Sequence, residues 1–171
     1  MADKKDIKLV TGLFKSRADA ESAVRAVLAR GYDRDDVTVL MSDATRSKEF
    51  AFKTGTKAAE GAGVGGAVGG TVGAVIAAIA AVGTTLAIPG LGLVVAGPLA
   101  AALAGAGAGG VTGGLIGLLV GAGIPEQRAK VYEAGLREGG ILVGVEAKTG
   151  AEADELEEIF ESIGAEGVRK Q

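Results

Sequence analysis

Between Glu60 and Glu126 the chain carries no charged side chain over 65 consecutive residues. A run of this length cannot stay exposed to water and must be covered by lipid or by dense packing. The charges sit on either side of it. Residues 1–60 hold 12 Lys/Arg and 10 Asp/Glu, and residues 126–171 hold 6 and 11. Of the 30 glycines, 20 lie inside the window, and all six aromatic residues lie outside it. Two charged, ordinary ends therefore flank one apolar insert of small residues, which divides the chain into 1–57, 58–124 and 125–171.

The window is long enough for two membrane passes, since about 18 apolar residues already make a candidate span. Pro89-Gly90-Leu91-Gly92 is a turn signal near its middle, and Pro98 suits the first turn of a helix. These signals predict a helix over about 58–88, an apolar connection, and a second helix over about 98–123. The glycines have a register. Gly61, Gly65, Gly69 and Gly73 recur every four residues, as do Gly105, Gly109, Gly113, Gly117 and Gly121. Residues four apart share a helix face, so each helix carries a stripe without side chains. An antiparallel hairpin centred on Leu91 sets Gly61 opposite Gly121, Gly65 opposite Gly117, Gly69 opposite Gly113 and Gly73 opposite Gly109. These nine glycines are the candidate helix-packing residues of a glycine-zipper hairpin. Gly63, Gly66, Gly70, Gly107, Gly110 and Gly114 remain for contacts with neighbours. A hairpin buried in a soluble homo-oligomer has the same composition, so both environments stay open.

Several function classes are excluded. With no His and no Cys, there is no Ser-His-Asp triad, Cys nucleophile, thiolate zinc site or imidazole base. The slightly acidic balance, −3, argues against broad nucleic-acid binding. Gly61–Gly66 and Gly105–Gly110 both fit G-x-G-x-x-G. Neither follows directly on a strand signal, and no acid occurs before Glu126, so neither reads as a dinucleotide site. No cofactor, metal or catalytic residue is expected. The charged start, Met1 to Lys8, does not read as a secretory signal peptide.

The two ends read as halves of one domain. Residues 7–14 form a strand pattern, Ser16 and Asp19 a helix start, and Ala20, Ala23, Val24, Val27 and Leu28 a helical apolar face ending at Gly31. Val37 to Met41 is a second strand. The other end repeats this. Ile141 to Ala147 alternates as a strand, Thr149 caps a helix with Ala153, Leu156, Ile159, Phe160 and Ile163 inside, and Gly164 closes it, with room for a short strand near Gly167–Arg169. An offset of 133 aligns Leu9 with Leu142, Ser16 with Thr149, Ala20 with Ala153 and Gly31 with Gly164. Two β-α-β halves building a four-stranded antiparallel sheet make a ferredoxin-like α+β domain. A further helix, Pro125 to Glu138, links the insert to the third strand. Deleting 61–123 is then expected to leave a soluble domain.

Thr11-Gly-Leu-Phe, Val39-Leu-Met-Ser-Asp, Gly55-Thr-Lys, Ile124-Pro-Glu and Gly139-Gly-Ile-Leu-Val, with the glycine-rich middle, resemble bacterial general-stress proteins. These are heat- and low-temperature-induced proteins of a domain of unknown function. The resemblance covers nearly the whole chain and is structural. It implies a bacterial, stress-associated, membrane-associated protein and carries no catalytic residues.

Among polar residues, Arg46, Lys48, Lys53 and Lys57 precede the insert and Arg128, Lys130 and Arg137 follow it, which fits a cytoplasmic face. Glu152, Asp154, Glu155, Glu157, Glu158 and Glu161 read as a solvated helix face, and Asp33, Asp35 and Asp36 as turn residues. Glu60 borders the apolar run as a helix-start acid. The reading is a non-enzymatic protein held in the bacterial inner membrane with both termini cytoplasmic. Its partners are the bilayer and further copies of itself. The alternatives are a soluble homo-oligomer with the hairpins in its core, and a ligand-sensing regulatory domain.

Overall fold

The computed structural model describes residues 8–50, 85–88, 92–100 and 114–170. Strand β1 (Lys8–Phe14) leads into helix α1 (Arg17–Ala29), then strand β2 (Val37–Ser42) and helix α2 (Asp43–Phe50). Strands β3 (Thr85–Ile88) and β4 (Leu93–Ala96) follow. Helices α3 (Gly114–Gly121) and α4 (Glu126–Arg137), strand β5 (Ile141–Ala147), helix α5 (Gly150–Ser162) and strand β6 (Glu166–Lys170) complete the order. The fold is mixed α+β on one six-stranded antiparallel sheet, ordered β3-β4-β2-β5-β1-β6.

Alternation along the strands sorts side chains between two apolar layers. Val10 and Phe14, Val37 and Val39, and Val143 and Val145 face α1 and α5, whose Ala20, Val24, Val27, Leu156 and Phe160 are buried against them. Phe14 and Phe160 meet edge to face, centroids 5.5 Å apart at 83°. The intervening residues, Leu13, Leu40, Leu142, Leu93 and Val95, face a second layer formed by α3, α4 and residues 99–100. The inner strands are buried on both faces, so β5, expected to alternate, is buried along nearly its whole length.

The repeat between the two ends holds in detail. Ser16 and Thr149 are both N-caps, accepting from the Asp19 and Glu152 amides at 3.1 and 3.2 Å. Ala20 and Ala153 are both fully buried. Gly31 and Gly164 both leave their helices with positive φ, +91° and +90°. The expected strands and the linking helix also form, β6 included, with Pro125 at the N-cap of α4.

The insert departs from expectation in three ways. First, its centre is not helical. Thr85↔Ala96, Leu86↔Val95, Ala87↔Val94 and Ile88↔Leu93 form a β-hairpin, and β4 pairs onto β2 from Val39↔Ala96 to Ser42↔Leu93. The helix expected over 58–88 therefore does not reach 88, and the connection after it is a strand. The chain does reverse between Ile88 and Leu93, but β-branched Thr85, Ile88, Val94 and Val95 favour strands, and β2 offers β4 a free edge. Second, the helix expected over 98–123 is not continuous, because Gly114 has φ +66°. Third, the sheet has six strands rather than four.

The window also belongs in part to the domain core. Leu99, Leu115, Leu118 and Leu119 are at most 7% exposed. Burying each such side chain stabilises by about 1.5–3 kcal/mol, and domains are stable by only about 5–15 kcal/mol in total. Deleting 61–123 would thus remove core, not only an appendage. Gly97 makes the sharpest local test. Its φ is +97°, and a Cβ there would lie 2.1 Å from the Val37 carbonyl oxygen. Gly31 has a similar φ with open space around it. Gly97→Ala should cost about 3 kcal/mol or more and Gly31→Ala about 1 kcal/mol, read by denaturant unfolding.

Candidate functional site

Segments 51–84 and 101–113 lie outside the described residues, which adjoin them at four points. The first is the end of α2. Ser42 and Thr45 fix its start, the Thr45 amide donating to Ser42 Oγ at 3.0 Å. At its other end the Arg17 guanidinium donates to the Glu49 carbonyl, a cation on the negative pole of the helix. One turn along α1, Glu21 is 1% exposed, and neither carboxylate oxygen has a hydrogen-bond partner among the described residues. The second junction is the start of β3. At the third, Gly97 lets the backbone close onto β2, and the Leu99 amide donates to Thr38 Oγ1 at 3.1 Å. The Asp43 amide holds the Gly92 carbonyl at 2.6 Å on the same edge. At the fourth, Gly114 turns the chain into α3, which packs on α4 and ends where the Ile124 amide reaches back to the Leu119 carbonyl at 2.9 Å. All four junctions belong to one sheet and its covering helices.

Of the nine stripe glycines, Gly61, Gly65, Gly69, Gly73, Gly105, Gly109 and Gly113 lie outside the described residues, as do Glu60, Lys53, Lys57 and both G-x-G-x-x-G patterns. Gly117 and Gly121 lie on α3, the first half-buried and the second exposed. A Cβ at Gly121 would meet nothing within 4 Å.

The charged residues are largely spent on local structure. Glu152 accepts from the Lys148 and Thr149 amides, Glu155 pairs with Arg30, and Asp154 pairs with Lys170. Among the basic residues flanking the insert, Arg46 pairs with Asp43, Lys130 with Glu126 and Arg137 with Glu133, at 2.7–2.8 Å. These pairs are exposed, and each is worth little to stability. A cleft of about 140 Å³ at the end of β1 is lined by Leu13, Lys15, Gly135, Glu138, Gly140 and Glu166. The Lys15–Glu166 pair crosses it at 2.6 Å and raises the lysine pKa. Among the described residues no group of three acids is placed to hold a metal ion.

Sequence reasoning missed one buried polar node. Tyr132 on α4 is fully buried, with its hydroxyl 2.9 Å from Thr11 Oγ1 and donating to the Gly167 carbonyl at 2.7 Å. It ties the linking helix to β1 and β6. The signal available was a lone aromatic between Ala129 and Leu136 on the apolar face of the helix.

Compared with known proteins, the chain matches no family model, no curated protein and no solved structure. Its candidate site thus rests on geometry: one platform that adjoins two glycine-rich segments of the sequence, 51–84 and 101–113.

Two measurements check the electrostatics. Burial raises the Tyr132 pKa, so the folded state holds that proton more tightly than the unfolded state does. This contribution is complete below the ordinary tyrosine value near 10 and is lost as pH rises past it. Tyr132→Phe should therefore destabilise by about 1–2 kcal/mol at neutral pH through its lost hydrogen bonds, and should flatten the fall in stability above about pH 10. Burial, then the nearby Asp36 charge, raises the Glu146 pKa. The ionised carboxylate is thus disfavoured on folding. Glu146→Gln should raise the melting temperature at pH 7 and leave it unchanged at pH 3, where the carboxyl is already neutral.

Proposed function

We propose that the protein is a non-enzymatic, stress-associated membrane protein that assembles with copies of itself, its glycine-rich segment before β3 entering one leaflet from the side on which its domain sits. In this reading β2, β5, β1 and β6 with α1 and α5 are a ferredoxin-like unit, extended at one edge by β3 and β4. Their order, β2-β5-β1-β6, and antiparallel pairing support that description.

The observation that carries the reading is the pairing of β4 on β2 in the middle of the uncharged window. A hairpin tip held in the sheet is on the domain side of any bilayer. Between Phe50 and Thr85 lie 34 residues, and both ends belong to the domain. Going out and back as helix at about 1.5 Å per residue, such a segment reaches about 25 Å at most. That exceeds a leaflet but falls short of a hydrocarbon core of about 30 Å. Among the described residues no helix is long and apolar enough to cross a membrane. One-leaflet entry fits this length where a two-pass hairpin does not. The resemblance to bacterial stress proteins and the basic residues flanking the insert support a location at the cytoplasmic face of the bacterial inner membrane, with both termini on that face.

A second reading has an observation of its own. Leu93, Val95, Leu99, Leu115 and Leu118 already bury the middle and the C-terminal part of the window within the protein. A soluble assembly would extend this by burying 61–84 between copies.

Flotation with phosphatidylcholine–phosphatidylglycerol vesicles separates the two. The full chain should float with the vesicles, and a variant with 61–83 replaced by a short Gly-Ser link should not. A cysteine placed at Gly90 should react with an impermeant thiol reagent from the same side as one placed at Ser22. A discrete, lipid-free particle that ignores vesicles would favour the soluble assembly.

A further inference from the structure

Strand β6 is held to the sheet by different means from the strands inside it. Of Glu166-Gly-Val-Arg-Lys170, four residues are exposed, and only Val168 packs, in part, against the core. Lifting the strand away therefore uncovers little apolar surface of its own. The core beneath closes through other residues. Phe14 and Phe160, both fully buried, meet edge to face, and the Ala165 amide, just before the strand, donates to the Phe160 carbonyl at 2.9 Å. Pairing with β1 is irregular: the register shifts between Thr11 and Leu13, and Gly167 has φ +64°. The Lys170 amide donates to a side chain, Glu157 Oε1, at 2.8 Å. The ion pairs Lys15–Glu166 and Asp154–Lys170 are exposed and add little.

One buried hydroxyl holds the middle of the strand. Tyr132 donates its single hydroxyl hydrogen to the Gly167 carbonyl at 2.7 Å, so the Thr11 hydroxyl, 2.9 Å away, must donate to Tyr132. Arg128 Nη1 adds a longer bond to the same carbonyl, 3.2 Å, from the surface. We propose that β6 is a latched strap: it opens as a unit from an otherwise folded domain and uncovers the outer edge of β1, with the Tyr132 hydroxyl as the latch. When Gly167 leaves, the Tyr132 hydrogen turns to Thr11 Oγ1. The phenol then has a partner in both states, and opening does not orphan a buried polar group. Gly164, with φ +90° and open space around it, is the hinge between α5 and the strap. The edge of β1 beneath is a row of backbone donors and acceptors, so the strap decides whether the sheet ends in a blocked strand or an accepting one. This device stands apart from the membrane and self-assembly reading, and its failure leaves that reading untouched.

Native-state hydrogen exchange on the full-length protein, followed residue by residue at low denaturant, tests it. The β6 amides should be at least about a hundred-fold less protected than those of β5, and their exchange should be insensitive to denaturant, as a local opening requires. Val39→Ala, in the buried core on β2, should speed exchange in β5 and leave β6 unchanged. Tyr132→Phe should speed exchange in β6 about five- to ten-fold, the loss of one hydrogen bond. Gly167→Ala should do the same, since its Cβ would sit 3.1 Å from Tyr132 Cε1 at a positive φ. Exchange in β6 at the rate and denaturant dependence of β5, or acceleration of both strands together by Val39→Ala, overturns the strap. Unchanged β6 exchange in Tyr132→Phe overturns the latch. If Tyr132→Phe fails to fold, Gly167→Ala decides the latch, and the denaturant dependence of the unmodified chain decides the strap.

Discussion

The pairing of β4 on β2 is the contact on which the rest of the architecture depends. Four residue pairs, Val39↔Ala96 to Ser42↔Leu93, attach the middle of a 65-residue uncharged sequence to a charged, ordinary domain. Without them the insert would be a single excursion of about 65 residues, free to cross a bilayer and turn beyond it. With them it becomes two shorter excursions with fixed ends. Gly97 is what allows the close approach, because its missing Cβ leaves space against the Val37 carbonyl. The Leu99 amide on Thr38 and the Asp43 amide on Gly92 satisfy backbone groups around the same edge.

Much of this was legible, and the boundary of legibility has physical causes. The two β-α repeats could be read because capping and termination are local. Ser16 and Thr149 accept from amides three residues ahead, and Gly31 and Gly164 supply positive φ, so each signal lies within a few residues of its effect. The reversal near Leu91 was readable for the same reason. What was not readable was the element on either side of it. Thr85 to Ile88 and Leu93 to Ala96 are short apolar runs whose periodicity suits a buried strand or a buried helix equally. Only the free edge of β2, some 50 residues away in sequence, decides between them. The second layer over the sheet was hidden likewise. Leu115, Leu118 and Leu119 looked like part of a membrane helix, and nothing local distinguishes a leucine covering a sheet from one facing lipid. Tyr132 was passed over because its partners, Thr11 and Gly167, come from opposite ends of the chain. Of the glycine stripes, the described residues include only Gly117 and Gly121.

Glycine content then sets how the two excursions behave. Segment 61–84 contains eight glycines. As a helix in water each is about 0.8–1 kcal/mol less favourable than alanine, so the segment gives up about 6–8 kcal/mol against an alanine equivalent. That is as large as the stability of a typical domain. In the proposed reading lipid or another copy offsets this handicap, since the segment's own propensities do not. A domain bearing such a segment needs a fold that does not depend on it. The anchors meet that need: strand pairing at β4, the helix end at Glu49 held by Arg17, and leucines packed beneath α3 and α4. Their energies come from the domain's own backbone and core, so the platform's fold is held by contacts among the described residues.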